Sequence, residues 1–176
     1  DGPYGGSSKT ILETQHAILV GAGFGISRFA PILQDISIQL ENNTNSAPLE
    51  KIDLHWIIED HSYFEWFTKL LHEMKDESGF FNYHIYFTDK TPDAFNEKLM
   101  YISTNAKDKK TDVSIIDNLW EKSNFHLPSW NEKLSEAKDR NVDLNSKVFY
   151  SGPRKHLKPL KKSCKRLKIP LITKKF

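Results

Sequence analysis

Apolar residues along this chain gather into short runs that alternate with amphipathic stretches. Residues 16–21, apolar from Ala17 onward, read as a buried strand. The run passes into three glycines at alternate positions, Gly21, Gly23 and Gly25. Residues 26–40 follow, with Phe29, Ile32, Leu33, Ile36 and Leu40 at the three-and-four spacing of an amphipathic helix. A polar loop, 41–48, leads to a second strand at 52–58, which ends on Glu59 and Asp60. Residues 62–75 predict a helix. Ser62 and Glu65 offer a capping box, and Phe64, Phe67, Leu70, Leu71 and Met74 form its apolar stripe. Tyr83, Ile85 and Phe87 alternate with His84 and Tyr86 in a third strand at 81–88. Residues 89–112 are polar and read as an inserted loop, with a short helix around 93–102. A helix at 130–137, a strand at 147–150, a basic helix at 154–167 and a short strand at 169–173 complete the pattern, and residues 1–6 read as turns.

Strands that alternate with helices predict an α/β fold: an open parallel sheet with helices on both faces, a Rossmann-like nucleotide-binding domain. In such sheets ligands sit beyond the carboxyl ends of the strands. Three segments converge there: 21–27, 59–60 and 151–153. The glycine turn carries the chemistry. A Cβ would block close backbone approach, and free N–H groups at the start of the following helix suit a phosphate. The turn departs from the strict dinucleotide fingerprint, because Ile26 stands where a third glycine belongs and Gly25 comes early.

Composition adds little except through its distribution. The 38% hydrophobic and 27% charged residues fit a single globular domain, and no run approaches the ~20 apolar residues of a membrane span. Cys164 is the only cysteine, so an internal disulfide and a cysteine zinc site are excluded; the seven histidines show no metal-binding spacing, and no metal is expected. Residues 154–176 hold ten Lys or Arg and no acid, whereas the chain before them balances to −8. That basic tail suits phosphates, anionic lipid or an acidic partner; nothing points to nucleic acid.

Read together, Asp1-Gly2-Pro3-Tyr4-Gly5, the turn 21–27, Trp56, Phe64-Glu65-Trp66-Phe67, Ile85-Tyr86-Phe87-Thr88, Pro128-Ser129-Trp130, Gly152-Pro153 and the terminal Phe176 resemble one family. The chain is similar to the nicotinamide-nucleotide-binding subdomain of NADPH oxidases, of the ferredoxin–NADP reductase type, across nearly all of residues 1–176. The resemblance implies hydride transfer from NADPH to FAD and then electron passage through haem to oxygen. The FAD subdomain and the haem-bearing transmembrane domain would lie upstream, with this domain on the cytosolic face of a membrane. It implies that Gly21, Ala22, Gly23, Phe24, Gly25 and Ile26 cradle the pyrophosphate, helped by the Ser27 hydroxyl and by Arg28, which replaces a proline. Asp60, Thr88, Gly152 and Pro153 complete the nucleotide site. Ser151, in place of a cysteine, would lie beside the reactive nicotinamide carbon, and Phe176 would stack on the flavin.

Two departures bear on cofactor choice. Glu59 stands where the family has an arginine, and His126-Leu127-Pro128 stands for Gly-Arg-Pro. The cations expected to hold the 2′-phosphate are therefore missing, and an acid at the end of the second strand suits a ribose hydroxyl. The domain is thus expected either to have shifted toward NADH or to bind nicotinamide nucleotides poorly, unless His126, Lys90 or a tail lysine reaches the phosphate; NADPH stays the default that the resemblance implies. The alternatives are a weakly active domain kept for regulation or assembly, docking cytosolic subunits or anionic lipid through its basic helix, and a ferric-chelate reductase relative.

Overall fold

The apolar run that opens the chain becomes a strand buried along its whole length, because helices cover both faces of the sheet it centres. The computed structural model describes residues 6–42, 48–58, 71, 79–88 and 122–173. The helices expected at 62–75 and 93–102, the Phe64–Phe67 element, Glu59, Asp60, Lys90 and Phe176 lie outside the described residues, apart from Leu71, which is buried. The described elements are α1 Gly6–Leu12, β1 His16–Ala22, a 3-10 helix Gly23–Arg28, α2 Ala30–Glu41, β2 Lys51–Ile58 and β3 Phe81–Phe87. Then follow β4 Ser123–Asn124, α3 Trp130–Arg140, β5 Ser146–Ser151, α4 Arg154–Leu167 and β6 Leu171–Ile172.

The six strands are all parallel, in the order β4-β3-β2-β1-β5-β6. Period-two alternation sends side chains to two separate cores. Leu19, Leu54, Trp56, Ile85 and Phe149 meet Phe29, Ile32, Leu33 and Ile36 on one face. Val20, Ile57, Tyr86 and Val148 meet Trp130 and Leu134 of α3 and Leu160 of α4 on the other. The expected α/β class is the observed one.

Three elements differ from expectation. The helix expected from residue 26 starts as the 3-10 turn, and α2 begins only at Ala30. Pro31 is the cause, since it has no N–H to give to the Ser27 carbonyl. Phe29 instead donates to the Ile26 carbonyl at 2.9 Å, and the α pattern takes over with Leu33 donating to Phe29 at 3.0 Å. Helix α1 went unforeseen because it has seven residues, too few for a periodicity to show. Strand β4 is two polar residues, joined to β3 partly through the Asn124 amide, which donates to the Ile85 carbonyl at 3.3 Å.

A polar ladder crosses four neighbouring strands near their amino ends, on the α3–α4 face. Ser146 Oγ lies 2.8 Å from His16 Nδ1, and His16 Nε2 lies 2.8 Å from Asp53 Oδ2. Asn82 donates to Asp53 Oδ1 at 3.2 Å, and Lys122 donates to Asn82 Oδ1 at 3.2 Å. Burial works against the Asp53 charge, yet hydrogen bonds and charge from His16 hold its carboxyl down to about 2. One register step up the same face, burial pushes His55 down to about 3 and His84 down to about 4, so both rings are neutral. The Tyr86 phenol, kept protonated by burial, lies 3.1 Å from His55 Nδ1, and His55 stands edge-on to Trp130 with ring centres 5.6 Å apart.

Candidate functional site

Strand order locates the site before any side chain does. The chain passes outward from β1 through β2, β3 and β4, then returns to the other side of β1 as β5. The carboxyl ends of β1 and β5 are therefore the topological switch point, where neighbouring connections leave to opposite sides and open a crevice. Gly21 and Ser151 pair across it.

The glycines there serve distinct needs. Gly23 has φ +54°, the left-handed conformation that side chains avoid, and it turns the chain from β1 into the 3-10 helix. At Gly21 a Cβ would lie 2.6 Å from Ile26 Cδ1, and at Gly25 it would strike the Ser151 carbonyl and lie 2.9 Å from Gly152 Cα. Gly152, at φ +155°, would bring a Cβ within 2.7 Å of Ala22 Cβ. Gly25 and Gly152 thus knit the two loops of the switch point together, Gly21 lets Ile26 fold back on the end of β1, and Gly23 and Phe24 are left as the more open part of the turn.

Around this knot, Ser151 and Ile26 are buried, Ser27 is half-buried, and Arg28, Gly152 and Pro153 are exposed. Phe24 is 61% exposed on the turn itself. Thr88 closes the β2–β3 end of the same edge: its N–H and hydroxyl both reach the Ile58 carbonyl at 3.2 Å. Ile58 is the last described residue before Glu59 and Asp60, so both follow the carboxyl end of β2. His126 and Leu127, both exposed, follow β4. The structure therefore brings 21–28, 88 and 151–153 to one edge, whereas Glu59, Asp60 and Phe176 lie outside the described residues. Among the described residues no group of three or more His, Cys, Asp or Glu is placed to hold a metal ion.

Sequence reasoning missed Tyr150. Its hydroxyl donates to the Pro153 carbonyl at 2.6 Å, bridging strand end and loop. The available signal was a tyrosine in a strand about to be buried, since a buried phenol needs a partner.

An open parallel sheet whose switch point carries a glycine turn defines a nucleotide-binding domain of the doubly wound class. Residues 14–165 match the ferric reductase NAD binding domain family, and the chain belongs to it. The chain is 32% identical over 166 residues to a superoxide-generating NADPH oxidase heavy chain of Dictyostelium discoideum, a match that covers 93% of this chain and 31% of that protein. It is 30% identical over 172 residues to NADPH oxidase 1 of Mus musculus, covering 94% of this chain and 28% of the relative. NADPH oxidase 5 of Homo sapiens is 27% identical over 205 residues, covering 100% and 26%. The chain thus spans less than a third of the length of these relatives.

Proposed function

We propose that this chain binds NADPH or NADH along the carboxyl edge of its sheet and presents it for hydride transfer to FAD. The whole protein is read as a transmembrane oxidase that makes superoxide or hydrogen peroxide. The observation that carries this reading is the knotted switch point, where Gly25 and Gly152 let the turn and the β5 loop touch and Gly23, at φ +54°, turns the chain from β1 into the 3-10 helix. A crevice so formed suits a pyrophosphate bridging the two loops. In this reading Gly21, Ala22, Gly23, Phe24, Gly25 and Ile26 form the cradle, with Ser27 and Arg28 at its rim. Ser151, Gly152 and Pro153 meet the nicotinamide, and Glu59, Asp60 and Thr88 face the adenosine end.

When bound, the dihydronicotinamide supplies the hydride. The chain's part is to position it. The turn offers backbone N–H donors to the phosphates. The buried Ser151 offers a hydroxyl and a small volume beside the ring, where a polarizable thiol stands in the resemblance. FAD and haem are assigned to other domains of the parent, with Phe176 stacking on the flavin. Hydride transfer leaves the oxidised nucleotide to depart, so the ring must be held firmly but released. The acceptor, oxygen or ferric iron, is chosen on the haem side.

The basic face of α4 supports a second contact. Lys158, Lys161, Lys162, Lys165 and Arg166 are exposed, while Leu160 and Cys164 turn inward. In this reading the domain lies on the cytosolic face of a membrane, and that helix meets an anionic surface of lipid or of a cytosolic regulatory protein. No helix among the described residues is long and apolar enough to cross a membrane.

The test is reduction of the flavin in the holoenzyme under anaerobic titration with NADPH and with NADH. Reduction by either supports the reading. Reduction by neither, with FAD bound, overturns it and favours a regulatory domain.

A further inference from the structure

We propose that Tyr150 is a positioning residue for hydride transfer, acting through the loop Ser151-Gly152-Pro153. The inference rests on the nucleotide reading above. Tyr150 is 3% exposed, its ring packed in the α3–α4 core beside Val20 and Ala22. Its backbone pairs with Val20, so the tyrosine belongs to the rigid centre of the sheet. From there its hydroxyl reaches forward three residues and donates to the Pro153 carbonyl at 2.6 Å.

That carbonyl sits at a weak point. Pro153 precedes the first residue of α4, and the His156 N–H reaches the same carbonyl only at 3.3 Å. The loop carries Gly152 at φ +155°, a conformation with little intrinsic preference to hold it. Contacts at each residue define where the loop lies, Gly152 packing on Ala22 and the His156 N–H sharing the Pro153 carbonyl with the phenol. Gly25 presses on the Ser151 carbonyl from one side, and the phenol ties Pro153 from below. Ser151, between them, is the residue assigned to the nicotinamide. Without the phenol hydroxyl, the β5 strand and the glycine turn stay in place, but the Pro153 carbonyl keeps only the longer of these two hydrogen bonds, from the His156 N–H. A small displacement of the ring from its acceptor is enough to slow hydride transfer, because rate depends steeply on alignment.

The test is Tyr150→Phe in the flavin-loaded holoenzyme, a change that keeps the ring and its packing. Two quantities are read: competition by ADP-ribose, which carries all of the dinucleotide except the nicotinamide, and the rate of flavin reduction at saturating nucleotide. The expected result is ADP-ribose competition within about twofold of wild type and a flavin reduction rate about tenfold lower. The isotope effect from C4-deuterated nucleotide is expected to rise as transfer becomes more limiting. A lowered melting temperature with an unchanged saturated rate means the bond is merely structural and overturns the proposal while leaving the nucleotide reading intact. Equal loss of ADP-ribose binding with an unchanged saturated rate does the same. A wild-type holoenzyme whose flavin is reduced by neither nucleotide overturns both.

Discussion

The Ser151 carbonyl occupies the space that a side chain on Gly25 would need, and Gly152 Cα lies 2.9 Å from the same point. The end of β5 and the glycine turn after β1 are thus one packed unit.

Gly25→Ala is therefore expected to push β5 and the turn apart. Forcing a methyl group into backbone contact costs about 1–3 kcal/mol. The expected outcome is a melting temperature lower by several degrees, together with at least tenfold weaker competition by ADP-ribose. Unchanged binding and stability would show that the two loops are not in contact.

The polar ladder at the other end of the strands makes the opposite prediction. Asp53→Ala leaves His16 Nε2 and the Asn82 amide without their acceptor inside the sheet. Leaving buried donors without their acceptor costs about 1–3 kcal/mol each. Urea unfolding should show that loss, whereas ADP-ribose binding should stay within twofold, because the ladder is built at the amino ends of the strands. Asp53→Asn, which keeps an acceptor, should lose less.

The buried imidazoles set the acid response. His55 is held down to about 3 by burial and His84 down to about 4, against 6.5 for the free ring. The unfolded chain takes up these protons first, so stability is full above about pH 6.5 and drains as pH falls toward 4 and then 3. Asp53 adds a lower window: its carboxyl, at about 2 in the fold against 3.8, loses its contribution between those values. Each imidazole contributes a slope of up to about 1.4 kcal/mol per pH unit. His55→Phe should therefore cut the slope of urea stability between pH 6 and 4.5 by about half. An unaltered slope would place the titration elsewhere.

We propose that cofactor choice turns on Glu59. If it faces the ribose, Glu59→Arg replaces a repulsive charge with an attractive one at the 2′-phosphate. The ratio of NADPH to NADH affinity is expected to rise at least tenfold, measured by flavin reduction in the holoenzyme. A constant ratio would remove Glu59 from the adenosine end.

Much of the architecture was legible because it is local. β1, β2 and β5 carry apolar runs, α4 spans the residues expected of it, and the glycines mark the turn after β1. Pro31 was equally visible, and its missing N–H explains why α2 starts late. The polar ladder was not legible. Asp53 and His55 look like interruptions of a strand until Ser146, His16 and Asn82 arrive beside them from strands far apart in sequence.

The same division holds at the site. The chain by itself determined that β1 ends in a glycine turn, that Ser151-Gly152-Pro153 follows β5, and that Glu59 and Leu127 stand where cations were expected, because residue identity and order are one-dimensional facts. Only the tertiary structure decided that β5 lies beside β1, that Gly25 and Gly152 serve contact between the two loops, and that Tyr150 anchors one of them. Strand order is set by how two cores are buried on the two faces of one sheet, and that packing brings together residues more than a hundred positions apart.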